Sequence, residues 1–292
     1  MLGSGALAGA AGPVYSRPRR GPGSPIFFCP PPGGRQPMDA YQIYALCYAG
    51  PLEGPGALTM WNRDWEARGQ RAYYFWCLLG PGGPVVLDCG VGPQQAGERG
   101  LPGYLSPVEL LARLGVEAAK VPHLVLSHLH WDHVGGAALF PAAQVHVQEA
   151  EWRFWNEDPV ARRSVFQMLR DDQGLAALEA AQAQGRLRLH QGDAQLLPGL
   201  ELIAAPGHAP GLMALRAAAA AGPAVLGSDC GHTYRNYAED WPSAFICDLP
   251  AWLRSMQRLR GLVQRPELLF PGHDIALSRD FPEVAPGVTR LA

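Results

Sequence analysis

The sequence has few cysteines, almost no lysine and no long hydrophobic run, and each shortage excludes a class of protein. Its 292 residues include six cysteines without a CxxC pair, too few for a disulfide scaffold. We therefore expect free thiols in a reducing, cytoplasmic environment. The longest apolar stretch, residues 211–227, is interrupted by Arg216 and by Gly222-Pro223, so we expect no membrane span. Lys120 is the single lysine, and 24 basic against 26 acidic residues provide no broad cationic surface for nucleic acid.

Residues 1–37 differ in composition from the rest of the chain. They contain eight prolines and eight glycines, no acidic residue and no periodic apolar pattern. Such a segment cannot bury enough surface to offset the loss of chain entropy. We expect either a disordered extension or a protein that truly begins at Met38, with the first methionine encoded by an upstream start codon. The acid-free, arginine-bearing composition also suggests a transit peptide. Residues 38–292 are then predicted to form the folded domain.

From Tyr41 onward, strand patterns alternate with helix patterns. Short segments rich in aromatic and β-branched residues predict strands, and the amphipathic segment beginning Ser106-Pro-Val-Glu predicts a helix with Ser106 as its N-cap. The predicted strands are residues 41–48, 72–79, 85–87, 124–126, 144–148, 187–190, 200–204, 212–216, 224–226 and 268–270, and the predicted helices are 106–114, most of 149–184, and 251–263. Because the strands fall in two groups around a helical stretch, we expect an α/β sandwich, whose topology the pattern leaves open.

The segment SHLHWDHVGG, residues 127–136, places four good metal ligands within six residues at the end of a predicted buried strand. Alternate residues of an extended chain point the same way, so His128 and His130 can face one point in space. A turn after His130 would direct Asp132 and His133 to a second point beside the first. Packing does not require this pattern, because buried histidine and aspartate are costly unless their polar atoms are satisfied.

Three later residues occupy the same local setting, a polar ligand directly after a predicted strand. They are His208 in APGHA, Asp229 in LGSD and His273 in FPGHD. A single histidine at a strand end is more often a surface or hydrogen-bonded residue. The joint occurrence of all three with the first motif indicates a shared site.

The motif HxHxDH, followed by a Gly-His, a Ser-Asp and a final Gly-His, resembles the metallo-β-lactamase superfamily. The resemblance covers about Tyr41 to the C-terminus. It implies an αβ/βα four-layer sandwich with a helical insert after the first metal motif and a metal site along one edge. It assigns His128, His130 and His208 to one metal ion, Asp132, His133 and His273 to a second, and Asp229 to both as a bridge.

The implied ligands contain nitrogen and oxygen but no cysteine sulfur. This set favours two Zn²⁺ ions, and it also suits iron, manganese or cobalt. The resemblance implies a bridging water, whose pKa two cations lower enough to supply hydroxide near neutral pH, and hydrolysis of an acyl or phosphoryl centre. Asp88, in VVLDCG, matches an early strand-end aspartate that supports the metal loop without binding metal. Cys89 stands where the family usually has threonine.

Within the superfamily, the sequence is most similar to the N-acyl homoserine lactonase group, whose activity is quorum quenching. True metallo-β-lactamases lack a bridging carboxylate like Asp229 and need an export signal. Glyoxalase II has a substantial domain after its last histidine, whereas 19 residues follow His273 here. Superfamily nucleases add inserted domains or a basic exosite. The resemblance therefore implies a hydrolase that opens a small-molecule lactone by attack of the bridging hydroxide, with Asp132 shuttling the proton. The sequence leaves open whether the protein forms a homodimer.

One residue departs from the lactonase pattern. Three residues after Asp229, where the better-known lactonases have a tyrosine that hydrogen-bonds the substrate, this chain has His232. We expect His232 or Tyr234 to take over that role, unless the substrate differs. Acyl-homoserine lactones therefore compete with other lactones or esters, such as pyridoxolactone-type heterocycles, and with thioesters as in glyoxalase II. A di-iron redox protein is a more distant alternative.

Two other groups of residues have open interpretations. The segment LTMWNRDW, residues 58–65, either forms a hydrophobic lid for an acyl chain or packs its two tryptophans on the core. The aromatic residues of the segment EWRFW, residues 151–155, have helical spacing and favour a core position or a dimer interface over substrate contact. His123, His146 and His190 lie outside any ligand pattern and are predicted to be ordinary strand residues.

Overall fold

The computed structural model describes residues 40–292, so the predicted extension and its boundary at residue 38 lie outside the described part of the chain. The strands of this part are β1 (Gln42–Pro55), β2 (Arg68–Gly80), β3 (Gly83–Leu87), β4 (His123–Val125), β5 (Gln144–Gln148), β6 (Leu187–His190), β7 (Ala194–Leu197), β8 (Leu200–Ala204), β9 (Met213–Ala219), β10 (Gly222–Leu226), β11 (Leu269–Phe270), β12 (Glu283–Ala285) and β13 (Val288–Arg290). Its α-helices are α1 (Gly56–Thr59), α2 (Pro93–Glu98), α3 (Pro107–Ala112), α4 (Trp131–Val134), α5 (Glu149–Asn156), α6 (Ser164–Gln167), α7 (Asp172–Ala183), α8 (Tyr234–Glu239), α9 (Leu249–Gly261) and α10 (Ala276–Arg279).

The strands form two sheets. The larger has the order β12-β13-β1-β2-β3-β4-β5-β6, and the smaller has the order β11-β10-β9-β8-β7. Strands β3 to β6 run parallel to one another, whereas β1 pairs antiparallel with β2 and β2 with β3. In the smaller sheet β8 and β10 both run antiparallel to β9, and β11 runs parallel to β10. The strands β8, β10 and β11 therefore point in the same direction.

Successive residues of β1 and β2 are buried on opposite faces, in two different apolar clusters, which shows how the layers are built. Ile43 and Trp76 pack between the two sheets, while Leu46 and Phe75 on the opposite face pack under helices α3, α5 and α7. A third apolar cluster fills the space between the smaller sheet and α9, which contributes Trp252. Strands that are buried on both faces require helices on the outside of each sheet. The predicted αβ/βα four-layer sandwich is confirmed.

Several local predictions differ from the structure. Ser106 is the N-cap of α3, as predicted, but its side chain makes no capping hydrogen bond, and the helix ends at Ala112 instead of residue 114. The helical stretch predicted over 149–184 consists of three α-helices and connects the parallel strands β5 and β6. Strands β7, β12 and β13, of three or four residues each, were not predicted.

The two tryptophans of the 58–65 segment do not pack on the core. Trp61 is 40% exposed and Trp65 is 69% exposed, so that interpretation is wrong and the lid remains. In contrast, Trp152 and Trp155 are buried within the chain, which confirms a core position. The five cysteines of the described part are free thiols. Among residues 40–292, none of the helices combines the length and apolar character that crossing a bilayer requires.

Three histidines outside the predicted site contact one another across neighbouring strands. His146 Nε2 lies 3.1 Å from His123 Nδ1, and His146 Nδ1 lies 3.0 Å from His190 Nε2. They are strand residues, as predicted, but they form a hydrogen-bonded chain that the sequence pattern did not indicate. Burial lowers the pKa of His146 to about 3, so its ring is neutral near pH 7.

Helix α9 forms hydrogen bonds to two loops, one that follows β8 and one that follows β10 of the smaller sheet. The indole Nε1 of Trp252 donates to the carbonyl of Cys230 at 2.7 Å, and Ser255 Oγ donates to the carbonyl of Pro206 at 2.7 Å. Gly207 has a φ of +138°, and a Cβ there would lie 2.4 Å from the Cα of Trp252. Glycine at this position therefore allows the loop and the helix to approach closely.

We expect Trp252→Phe to lower the free energy of unfolding of the metal-free protein by about 1–3 kcal/mol, because the buried carbonyl of Cys230 loses its donor. Urea unfolding followed by circular dichroism measures this change. Leu253→Ala, at a 43% exposed position of the same helix, is the control and should change stability by less than about 0.5 kcal/mol. Equal effects of the two substitutions would contradict the assigned role of the indole.

Candidate metal centre

The seven residues that the sequence assigned to two metal ions lie in one buried cluster. Each follows the carboxyl end of a strand: β4 leads to the first motif, and β8, β10 and β11 lead to the later three residues. Each of these side chains is less than one-tenth exposed. Four sets of three residues have ligand atoms close enough to hold an ion: His128, His130 and His208; His128, His133 and Asp229; Asp132, His133 and His273; and His208, Asp229 and His232.

The first set is a triangle of imidazole nitrogens. His128 Nε2 lies 3.0 Å from His130 Nδ1, and His208 Nε2 lies 3.2 Å from the same Nδ1. His128 and His130 follow β4 of the larger sheet, whereas His208 follows β8 of the smaller one. The two sheets therefore each contribute to this half of the cluster.

The second set combines one carboxylate with two imidazoles. Asp132 Oδ2 lies 3.4 Å from His133 Nε2 and 3.5 Å from His273 Nε2. Asp132 and His133 belong to the short helix α4, which begins directly after His130. The turn predicted at this point is therefore a helical turn, and it places both side chains beside the first set, with the ring of His133 4.1 Å from that of His128.

Asp229 lies between the two sets. Its Oδ2 is 3.5 Å from His208 Nε2 and 3.9 Å from His128 Nε2. Its Oδ1 is 3.0 Å from His273 Nε2 and 3.6 Å from His133 Nε2. Its Oδ2 also lies 3.2 Å from His273 Nε2, so the carboxylate as a whole contacts both sets, as a bridging ligand requires.

The chemistry of the cluster fits divalent cations. Within the described part of the chain, His133 Nε2 and Asp229 Oδ1 are buried without a hydrogen-bond partner. Buried polar atoms in native proteins are almost always satisfied, so these two atoms call for a partner such as a cation. Imidazole nitrogen together with carboxylate oxygen is a donor set that Zn²⁺ accepts.

Electrostatics keeps the three histidines of the first set in the form that binds metal, whereas neighbouring carboxylates outweigh burial and raise the pKa of His133 and His273. Burial lowers the pKa of His128 and His208 well below the usual range and that of His130 to about 4, so these rings are neutral near pH 7. Burial alone would raise the pKa of Asp229, but the surrounding histidines, with His273 foremost, hold it well below its ordinary value. Neutral imidazole and ionised carboxylate are the ligand forms that metals bind.

Hydrogen bonds to the outer ring nitrogens fix the orientation of three histidines. The Nδ1 of His273 donates to the carbonyl of Ala72 at 3.0 Å, and the Nδ1 of His133 donates to Asp88 Oδ2 at 2.8 Å. His128 Nδ1 lies 3.0 Å from Ser127 Oγ. In each ring the Nε2 is left to face the cluster, as outer partners of metal-bound histidines do.

Asp88 joins the loops that carry the cluster. Its Oδ1 accepts from the backbone N–H of Ser127 at 2.7 Å, and its Oδ2 accepts from the hydroxyls of Ser127 at 2.9 Å and Ser228 at 3.2 Å, in addition to His133. Asp88 is fully buried and has a φ of +60°. These contacts place it beside the ligands, where the sequence expected a supporting residue. Cys89 Sγ also contacts this loop, since it donates to the carbonyl of His133 at 2.9 Å.

Glu151 is a site-supporting residue that the sequence analysis missed. Its fully buried carboxylate accepts from the backbone N–H groups of Leu129 at 3.0 Å and Gly211 at 2.9 Å, and from Trp155 Nε1 at 2.7 Å. It therefore links the first motif to the loop that carries His208. The sequence feature that could have indicated this role is an acidic residue four positions before a tryptophan, on the apolar face of a predicted helix.

The structure separates the two candidates for substrate contact. His232 is 6% exposed, and its Nε2 lies 3.1 Å from Asp229 Oδ2, so it belongs to the cluster. Tyr234 begins helix α8, where its backbone N–H donates to Asp274 Oδ2 at 2.9 Å and its ring packs against the apolar clusters around the smaller sheet. Of the two residues, His232 is the one whose described contacts place it among the candidate ligands.

We expect Glu151→Gln to lower the free energy of unfolding by about 1–3 kcal/mol, because an amide NH₂ would face N–H donors that the carboxylate now satisfies. Denaturant titration of the metal-free protein measures the change. Glu179→Gln, on the exposed surface of α7, is the matched control and should be neutral to within about 0.5 kcal/mol. A neutral Glu151→Gln would remove the basis for its linking role.

Comparison with known proteins shows the family to which the chain is similar. The profile of the metallo-beta-lactamase superfamily matches residues 66–273. An N-acyl homoserine lactonase from a Bacillus species is 29% identical over 229 residues, which are 71% of this chain and 85% of that protein.

Solved structures with a similar fold include a quorum-quenching N-acyl homoserine lactone lactonase, at a TM-score of 0.69 and 22% identity, covering 84% of this chain and 96% of that one. A dizinc quorum-quenching lactonase in complex with a product has a TM-score of 0.64 at 17% identity, covering 87% of this chain and 97% of that one. At these identities the solved structures establish the fold. Since the superfamily profile spans most of the sequence and the cluster contains its ligand pattern, the chain belongs to the metallo-beta-lactamase superfamily.

Proposed function

We propose that this protein is a dinuclear metal-dependent hydrolase that opens lactone rings, with N-acyl homoserine lactones as the first candidate substrates. The observation that carries the proposal is the position of Asp229, whose carboxylate lies 3.0 Å from His273 Nε2 of one set and 3.5 Å from His208 Nε2 of the other. The similarity to a Bacillus N-acyl homoserine lactonase over 85% of that protein supports the substrate class.

Two Zn²⁺ ions are the proposed cofactors, and a dizinc lactonase of the same fold supports this choice. The residues that would hold them are His128, His130 and His208 for one ion, Asp132, His133 and His273 for the other, and Asp229 for both. When bound, the ions supply a Lewis acid for the ester carbonyl and lower the pKa of a water toward 7.

Asp132 is the residue proposed to carry the proton. Its backbone carbonyl accepts from the hydroxyl of Tyr48 at 2.9 Å, which fixes the start of α4 beneath the site. As water oxygen bonds to the lactone carbonyl carbon, Asp132 would hold the proton that the water loses. When the bond from that carbon to the ring oxygen breaks, Asp132 would return the proton to the departing alkoxide. The product is an open-chain hydroxy acid.

A cavity of about 210 Å³, lined in part by Thr233, the residue after His232, is the proposed substrate pocket. It lies between α1, β2 and the start of α8, and its lining includes Thr59, Asp64, Arg71 and Arg235. Arg71 precedes Ala72, whose carbonyl holds His273. The cavity is small for a ligand site. Short acyl chains therefore suit it better than long alkyl chains.

The proposed activity is tested by measuring ring opening with acyl-homoserine lactones of graded chain length against hydrolysis of acyl thioesters, using zinc-loaded protein. We expect lactones to give the higher kcat/KM, and short acyl chains to exceed long ones by about tenfold because the cavity is small. A strong thioester preference would overturn the lactonase assignment. Colour with two bound irons and no hydrolysis would favour a redox protein.

We expect Asp229→Asn to lower kcat/KM by at least about 100-fold, or about 2.7 kcal/mol in transition-state stabilisation, because a neutral amide is a poor bridge between cations. Metal analysis should show the content falling from two ions toward one per chain. Asp172→Asn, at an exposed position of α7, controls for the general effect of removing a carboxylate. Unchanged turnover and metal content in Asp229→Asn would show that Asp229 does not bridge.

A further inference from the structure

His232 has the structural features of a metal ligand, although the ligand pattern of the sequence does not include it. Its side chain is more than nine-tenths buried and its Nε2 faces the cluster. Among the described residues, this nitrogen has no hydrogen-bond partner. The same is true of His133 Nε2 and Asp229 Oδ1, two atoms assigned to the ions.

The spacing around His232 matches the spacing among the assigned ligands. Its Nε2 lies 3.1 Å from Asp229 Oδ2, and the ligand atoms of His208, Asp229 and His232 all lie within 4.8 Å of one another. For metal–ligand bonds of about 2.1 Å, neighbouring ligand atoms are about 3.0–3.4 Å apart at right-angled or tetrahedral geometry. The distance from His232 to Asp229 falls in this interval.

The contact between His232 and Asp229 is compatible with a cation as a shared partner. The two atoms lie 3.1 Å apart, close enough for an ion pair if the ring is protonated, and the nitrogen makes no well-aligned hydrogen bond. A cation on the His208 side of Asp229 would satisfy both atoms.

The backbone holds the His232 ring in this orientation. The carbonyl of His232 accepts from the backbone N–H of His273 at 2.8 Å, and the carbonyl of Gly231 accepts from the N–H of Gly272 at 2.9 Å. The ring itself contacts the rings of His208 and His273, with centroids 5.3 Å and 5.0 Å away. The loop that carries His232 is therefore fixed to the loop that carries a proposed ligand of the second ion.

We infer that His232 is an additional ligand of the ion held by His128, His130 and His208, and not a substrate contact. This inference rests on the proposed dinuclear centre. That ion would then have four imidazoles and one oxygen of Asp229, and His208 belongs to both of the three-residue sets that would supply these ligands. The substrate carbonyl would then meet fewer open coordination positions on this ion, and its binding would depend more on the ion held by Asp132, His133 and His273.

The test uses the full chain loaded with two Co²⁺ ions and counts coordinated histidines by proton NMR. Each histidine bound to Co²⁺ shows one exchangeable, paramagnetically shifted ring N–H. Six such signals are expected, five from the histidines of the family pattern and one from His232, and His232→Gln should retain five. Competition with a chromophoric chelator should show one ion bound at least about tenfold more weakly in His232→Gln.

His190→Gln is the matched control, since this partly buried histidine lies outside the cluster. It should retain six shifted signals and the affinity of the unsubstituted protein. Five signals in the unsubstituted protein, or equal metal affinity in His232→Gln, would overturn the inference. If His232→Gln does not fold, the count in the unsubstituted protein decides. Failure of the unsubstituted zinc protein to open lactones would count against the proposed function and would leave the ligand count unaffected.

Discussion

The buried carboxylate of Asp88 is the contact on which the arrangement of the cluster depends. It accepts hydrogen bonds from the loop after β4, from the helix that carries His133 and from the loop that carries Asp229. Both Asp88 and Ser228 have positive φ angles, of +60° and +45°, which residues other than glycine rarely adopt. The hydrogen bonds between these residues offset this strain, and strained backbone of this kind is typical of functional sites.

Glu151 complements Asp88 on the other side of the cluster. Asp88 links the larger sheet to the Asp229 loop, and Glu151 links the first motif to the loop that carries His208. Both carboxylates accept hydrogen bonds from backbone N–H groups. Such bonds fix the backbone of a whole loop and not only one side chain. Ligands held in this way need little rearrangement when an ion binds, and preorganisation of this kind favours tight and specific metal sites.

The sequence predicted the ligands and the supporting Asp88 but not Glu151, and the reason is physical. His128, His208 and His273 were predictable because each is an uncommon side chain at the carboxyl end of a strand, and strand ends converge at one edge. The partners of Glu151 are mainly backbone N–H groups, which leave no trace in the residue types. The same limit applies to the chain of His123, His146 and His190, because strand register, which pattern alone does not fix, brings these rings together.

Charge balance explains why the protein keeps so many buried acids beside its histidines. Asp88, Asp132, Glu151 and Asp229 are all at least nine-tenths buried. Although burial alone would raise the pKa of Asp132 and Asp229, neighbouring histidines hold it below the ordinary value, which favours the ionised form of both. Uncompensated charge is costly in a low-dielectric interior, and the proposed pair of cations would compensate these carboxylates. Metal binding at the proposed centre would then stabilise the folded sandwich.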